Sequence, residues 1–564
     1  MSSIGTNGYH MSSKNKFPPT AEQQAALNAA LEGHSLKLIA LAGSGKTSTL
    51  VLIAHALCQQ PNRYGSRKVG KYLAFNKDIA KEAKQKMPVG VHACTFHSLA
   101  LSQCPAWMKN KLKGQAFHPK DFIAHYNLKD FSVRTFSSPA PGAPKKNGKT
   151  KVSGFFQKRI IDAGLDKYMS TAAKYPAERH IAEAVRELLP DVIEEDQKNI
   201  VLRLFPLAEI LWNRYTNEFD ELGIGNNHNV YLKYWANSEP IIDADFILFD
   251  EAQDADPIML GVLLKQPSHV QVIYVGDPHQ QIYSWRGAIN VMQALPLPSY
   301  YLTQSFRFGD NLAKTCQPIL DRLGEANTFR GLPDTETLVD GSNKLPKDID
   351  AVLCRTNLGA LECLLEYEKH GLKAQPQNIN VKECLDMINN LYEFSLGRRP
   401  LKHPLLSSFK SYSELQQYCE DYPGDQAIVP FVKILEQYEY DIISSALTRC
   451  QLSKIDDFQS SDGNEFDLIV TTAHRSKGCE WDRVMVHGDF LDHFFDSGSS
   501  DKKRKSTTKE EYRLLYVTLT RARKKLYVAR LDWLLKELGD INLTVKDGDA
   551  DKSKDNQNSM GESA

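Results

Sequence analysis

LKLIALAGSGKT, Leu36 to Thr47, is an apolar run that ends in Gly43-Ser44-Gly45-Lys46-Thr47. Leu36 to Leu41 reads as a buried strand, and Leu50, Ile53, Ala54 and Leu57 mark one face of a helix that follows it. Glycines between a strand and a helix let the backbone turn so that successive N–H groups point at phosphate oxygens. Lys46 can then reach the β and γ phosphates, the Thr47 hydroxyl can hold Mg²⁺, and the helix aims its positive end at the same anion. Ala42, Gly43, Ser44, Gly45, Lys46, Thr47 and Ser48 are therefore read as a nucleotide-phosphate loop. The pattern G-x-x-x-x-G-K-[ST] is met except at its first glycine, where Ala40 stands, and a bare glycine-rich turn is the alternative.

Composition sets the bounds around that loop. A chain of 564 residues, 42% hydrophobic and 24% charged, is long enough for several cored domains. No apolar run approaches the ~20 residues of a membrane span, and the opening MSSIGTNGYHMSSKNK lacks the apolar core of a signal peptide. The expectation is an intracellular protein with no membrane partner, cytoplasmic or nucleoid-associated, or nuclear in a eukaryote. Ten cysteines are scattered without a C-x-x-C pair, which suggests reduced thiols rather than a zinc knuckle or an iron–sulfur cluster. With 69 basic and 69 acidic residues the net charge is zero, so nucleic-acid binding would need a local groove rather than bulk charge.

Along the chain, residues 1–16 and 546–564 read as polar tails unable to bury enough apolar surface to order themselves. From Phe17 helix alternates with strand: the phosphate-loop unit, KYLAF at 71–75, then a turn at Pro88-Val89-Gly90 leading into VHACTFHSLA. This is the pattern of a parallel α/β sheet. The first domain is expected to comprise residues 17–100 and 206–300, rejoined by the strands DFILFD (245–250) and VQVIYVGD (270–277), with 101–205 as a helical, irregular insertion. A second α/β unit is expected over 301–375 and 461–545, with strands at Ala351 to Cys354, Phe466 to Thr471, Val484 to Val486 and Leu526 to Ala529. Residues 376–460 read as its short helical insertion, and no internal repeat is evident.

Phe246 to Phe249 is an apolar strand ending in Asp250-Glu251-Ala252-Gln253-Asp254, which places paired carboxylates at the C-terminal edge of the sheet beside the phosphate loop. Open α/β sheets bind ligands at that edge. Asp250 suits a Mg²⁺ partner and Glu251 a base that orients the attacking water. An acidic helix N-cap is the alternative, since Asp and Glu favour that position anyway.

At these residues the chain resembles the UvrD/Rep group of superfamily 1 DNA helicases, from about Thr20 to Ala529. The phosphate loop ALAGSGKT has the family's form, Ala40 included, and seven further motifs follow in family order. They are TFHSLA (95–100), DEAQD (250–254), GDPHQQIYSWRGA (276–288), LTQSFRF (302–308), CRTN (354–357), TTAHRSKGCEWD (471–482) and YVTLTRARKKL (516–526). NHNVYLKYW (227–235), FDEAQDADP and GDPHQQIYSWRGA are most similar to the F-box DNA helicases and their bacterial relatives, although no F-box is expected ahead of the core.

The resemblance implies two RecA-like P-loop NTPase domains, each with a mainly helical insertion, with ATP between them and Mg²⁺ as cofactor. It also implies roles. Gln23, in TAEQQ, would read the adenine edge, and Phe306, where the family usually has tyrosine, would stack on the base. Gln280 would sense the γ phosphate, Arg307 and Arg521 would be arginine fingers, and Glu480 would hold the ribose. Cys479 and Trp481 replace the usual leucine and phenylalanine, departures that fall on the packing of the sugar pocket.

Single-strand binding requires aromatic faces for bases beside donors for phosphates. Tyr283, Trp285 and Arg286 supply both, and Phe75, His97, Arg355, Thr356, Asn357 and His474 match further strand-contacting positions of the family. Core packing is the alternative for each lone aromatic. The basic stretches Lys145 to Lys151 and DKKRK (501–505) are either solvated or in contact with phosphates, and the second also passes for a nuclear signal.

The function expected is an ATP-dependent helicase and translocase moving 3′ to 5′ on single-stranded DNA and on tailed or forked duplex, in repair or recombination, with a protein partner from those processes. The polarity is the family's, and RNA stays open beside DNA. Two alternatives are a translocase that strips recombinase filaments and unwinds weakly, and an ATP-controlled DNA-binding sensor in genome maintenance or phage defence.

Overall fold

Strands that are apolar on both faces can be buried only if helices cover both sides of their sheet, the arrangement of parallel α/β layers. A computed structural model of the chain shows this twice. It describes residues 18–114, 117, 119–137, 146–282, 290–341, 348–377, 380–399, 406, 409–421, 428–452, 467–494, 507–528 and 531–538. Two compact units divide the chain at Leu302 and Thr303, with Leu41–Ser44 grouped with the second.

The first unit is built on β1 (Leu36–Ala40), β2 (Gly70–Ala74), β3 (Val91–Thr95), β6 (Phe246–Phe249), β7 (Gln271–Gly276) and β8 (Ser299–Leu302). They form a six-stranded sheet in the order β3-β2-β6-β7-β1-β8, parallel throughout. All of Phe246–Phe249 is buried, and its side chains alternate between the two faces. Phe246 and Leu248 join Ala26, Leu50 and Ile53 on one side, whereas Ile247 and Phe249 join Phe96, Tyr231 and Trp235 on the other.

Between β3 and β6 lies a separate core made by the helices Gly154–Met169, Glu178–Leu188 and Glu194–Tyr215. The stretch read as helical and irregular also carries an antiparallel ribbon, β4 (Phe131–Ser137) with β5 (Lys146–Val152). FSVRTFS alternates as a strand should, but its partner KNGKTKV is mostly polar, which hides the pairing from a periodicity argument. The helix Glu194–Tyr215 runs through the boundary expected at 205, and its Leu211 and Trp212 pack in the same core as Ile160 and Ile181.

The second unit repeats the architecture with β9 (Leu338–Asp340), β10 (Ala351–Cys354), β11 (Ala374–Pro376), β12 (Leu468–Thr472), β13 (Trp481–Val486) and β14 (Ala522–Tyr527). The order is β11-β12-β10-β13-β14-β9, again parallel throughout. Helices Val381–Ser395, Tyr412–Asp421, Val429–Gln437 and Tyr440–Leu452 lie between β11 and β12. The edge strands β8, β9 and β11 are not among the expected strands: β9 and β11 have only three residues each, too few for a readable period, and β8, SYYL, buries only its last residue and is not an apolar run.

Close approach at the end of β7 yields a test. A Cβ on Gly276 would stand 2.1 Å from Gln253 Oε1 and 3.2 Å from the backbone nitrogens of Ala252 and Gln253. Gly276→Ala should therefore destabilise the first unit by about 1–3 kcal/mol, read as a lower melting temperature. An unchanged melt would show that Gln253 moves aside freely.

Candidate active site

The first N–H groups of a helix have no partner within the helix, and here the turn that precedes them is glycine-driven. Gly43 and Gly45 have φ of 72° and 79°. Within the loop, the Ser44 N–H and hydroxyl both donate to the Leu41 carbonyl, at 3.1 and 2.7 Å. Gly45 gives the helix Lys46–Leu57 no side-chain cap. Thr47 is half-buried and Ser48 exposed beside it.

The strands β6 and β7 end beside this helix and bring three carboxylates to Lys46. Its Nζ pairs with Glu251 Oε1 at 2.8 Å, with side chains only 15% and 16% exposed. Asp250 accepts the Glu251 N–H on Oδ1 at 2.9 Å and the Tyr72 hydroxyl on Oδ2. Gln253 Nε2 donates to Glu251 Oε2 at 2.5 Å, and its Oε1 accepts the Asp277 N–H at 3.1 Å. Asp277 in turn accepts from Gln280 Nε2 at 2.8 Å. Glu251 adopts φ of 54°, a left-handed conformation uncommon outside glycine.

Burial pushes Asp250 and Asp277 above the usual carboxylate range, and Lys46 pulls both back. Burial presses on Lys46 as well, but Glu251, Asp250 and Asp277 together outweigh it, so the ammonium is held more firmly than in water. Gln23, at the N3 position of the helix Ala21–Leu31, donates from Nε2 to Thr49 Oγ1 at 3.0 Å, which ties the first helix to the one after the loop.

The donor set suits a small hard cation. Thr47 and Asp250 offer oxygen ligands only, and Mg²⁺ in nucleotide sites takes one or two side chains and completes its shell with phosphate oxygens and water. Among the described residues no group of three or more His, Cys, Asp or Glu is placed to hold a metal ion.

In the second unit the expected residues fall into two clusters on opposite edges of the sheet. Before β13 and β14, Arg307 Nε pairs with Glu480 Oε2 at 2.6 Å and its Nη1 donates to the Thr520 carbonyl at 2.8 Å. Arg521 is buried, donating to the carbonyls of Val517 at 2.8 Å and Cys479 at 3.3 Å. Phe306 is half-buried alongside. Beyond β10, the N–H groups of Arg355 and Thr356 both donate to Asp489, each at 2.9 Å, and the Arg355 guanidinium forks onto Glu511 at 2.9 and 2.6 Å. Thr356 caps the helix that Asn357 begins. His474 follows β12 on the same edge.

Of the other strand-contact candidates, Phe75 follows β2 and is 42% exposed. His97 follows β3, edge-on to Tyr231, with a proton affinity lowered by burial and then by His228. Tyr283, Trp285 and Arg286 lie outside the described residues, as do 1–16, Lys145, 501–505 and 546–564. Lys146–Lys151 falls within β5, where Lys151 pairs with Asp130 at 2.8 Å.

Comparison with known proteins fits this geometry. The AAA domain family matches residues 23–286, and the UvrD-like helicase C-terminal domain matches residues 385–532. F-box DNA helicase protein 1 of Schizosaccharomyces pombe is 28% identical over 539 residues, 90% of this chain and 57% of that protein. F-box DNA helicase 1 of Gallus gallus is 28% identical over 571 residues, 95% of this chain and 51% of that protein. A probable DNA helicase of Mycoplasma pneumoniae is 24% identical over 477 residues, 80% of this chain and 70% of that protein. Together these matches support a UvrD-like superfamily 1 helicase. The chain spans about half the length of the two F-box relatives, 57% and 51%.

Several residues of this UvrD-like core were not singled out from the sequence. Tyr72, Gln253 and Asp277 hold Asp250, Glu251 and Gln280, while Asp489 and Glu511 hold the Arg355 turn. Gln253 and Asp277 lay inside quoted motifs, which was a usable signal. Tyr72 is one aromatic in an apolar strand, and Asp489 and Glu511 lie 134 and 156 positions from Arg355, so no local pattern marks them.

Lys46→Met tests the electrostatics without nucleotide. Removing the ammonium leaves buried carboxylates whose folded pKa values rise further above their unfolded ones, so the folded state binds more protons and stability falls as pH rises. The variant should lose about 3 kcal/mol near neutral pH, and its melting deficit should narrow toward pH 5. A deficit that does not change with pH would exclude this cluster as its source.

Proposed function

We propose that the chain is an ATP-dependent DNA helicase and translocase moving 3′ to 5′ along single-stranded DNA, acting on tailed or forked duplex in repair or recombination. The single observation that carries the catalytic part is the contact of Lys46 with Glu251, flanked by Asp250, Asp277 and Gln280, at the end of a phosphate loop. Phosphates entering the loop compete with Glu251 for Lys46. The carboxylate they release becomes the base that takes a proton from the attacking water. Thr47 and Asp250 would hold Mg²⁺, which would supply charge neutralisation.

The remaining roles follow the family. Gln23 and Phe306 receive the base, Glu480 the ribose, and Ala42 to Ser48 the phosphates. Arg307 and Arg521 neutralise charge that develops on the transferred phosphoryl group. The pairing of Arg307 with Glu480 supports a coupled release, in which the ribose takes the carboxylate and frees the guanidinium. Phe75, His97, Tyr283, Trp285, Arg286, Arg355, Thr356, Asn357 and His474 grip the strand by stacking and phosphate contact. A repair or recombination protein would recruit the enzyme, and the likeness to the F-box DNA helicases supports DNA as the substrate.

Glu251→Gln should bind ATP normally and lose about 10²–10⁴-fold in turnover, and Arg307→Ala and Arg521→Ala about 10³-fold or more, all measured with saturating single-stranded DNA. Near-normal turnover in Glu251→Gln would remove the base assignment, and in both arginine variants the finger assignment.

Substrate and polarity need a separate measurement. ATP hydrolysis should be stimulated by single-stranded DNA more than by RNA or blunt duplex, and unwinding should require a 3′ tail. Stimulation by RNA alone, or unwinding only from a 5′ tail, would overturn this reading.

A further inference from the structure

Tyr72 stands in the middle of β2, wholly buried, in a strand whose neighbours Leu73 and Ala74 are apolar and buried too. An aliphatic side chain would fill such a position. A buried hydroxyl there needs a partner, and its partner is Oδ2 of Asp250. Facing a carboxylate oxygen, which can only accept, the phenol acts as the donor.

The geometry around Asp250 is closed on the β2 side. β2 and β6 are register neighbours, with Leu73 opposite Phe249, and the Asp250 N–H donates to the Leu73 carbonyl at 3.1 Å. Oδ1 accepts the Glu251 N–H at 2.9 Å and Oδ2 accepts the phenol. Each carboxylate oxygen is thus tethered by one donor, which fixes the rotamer and leaves each with lone-pair capacity for another partner. Groups that hydrogen-bond a metal ligand set its orientation and its basicity.

We infer that Tyr72 is a positioning residue whose hydroxyl orients Asp250 toward the divalent cation that accompanies the nucleotide. This rests on the reading of Asp250 as the Mg²⁺-holding carboxylate.

The test is binding of a fluorescent ATP analogue to the full chain, titrated with Mg²⁺ and, separately, in EDTA. Tyr72→Phe should bind the analogue in EDTA within about twofold of wild type, yet need about tenfold or more Mg²⁺ for half-maximal effect. Tyr72→Leu, the aliphatic filling, should shift the Mg²⁺ requirement in the same direction, with melting scans confirming that both variants fold. Equal weakening with and without Mg²⁺ would make Tyr72 a packing residue and overturn the inference. If Asp250→Asn shifts the Mg²⁺ requirement and the Tyr72 variants do not, the inference fails while the reading of Asp250 stands. If Asp250→Asn also leaves it unchanged, both fall.

Discussion

The ion pair between Lys46 and Glu251 is the constraint on which the first unit's chemistry depends. Asp250 and Asp277 are almost fully buried near that pair, and carboxylates so placed are costly unless a cation compensates them. Lys46 supplies the cation. An anionic ligand that claimed Lys46 would disturb all three acids at once, because each of them is coupled to that one ammonium.

Parallel sheets explain why such residues meet at all. Every strand of β3-β2-β6-β7-β1-β8 runs the same way, so each delivers the residue after its last to one edge. The loop after β1, Phe75, His97, Asp250 with Glu251, and Asp277 with Gln280 are all delivered there. Helices packed on both faces hold the strands in register, and the alternation in Phe246–Phe249 serves both layers at once.

The second unit uses its edges differently. Arg355, Thr356, Asn357 and His474 follow strands, whereas Glu480 and Arg521 precede them. The helix Lys509–Leu519 joins the two clusters: Glu511 in its first turn grips Arg355, and the Thr520 carbonyl just past its end receives Arg307. Eleven residues of helix are about 16 Å of stiff connector. The two clusters are therefore tied to opposite ends of one short rod.

The sequence by itself determined the phosphate loop, the acidic strand end, the order of the motifs and the long apolar strands. Each of these is a local pattern of residue types within a dozen positions, and local patterns survive without coordinates. The tertiary structure decided what holds those residues. Tyr72 reaches Asp250 across 178 positions, Glu511 reaches Arg355 across 156, and the edge strands β9 and β11 pair only because neighbouring strands present free edges. The ribbon β4–β5 belongs with them, since polar KNGKTKV becomes a strand through its partner. Side-chain hydrogen bonds and edge pairing depend on which elements the fold makes adjacent, and adjacency across a hundred residues or more leaves no period in the chain.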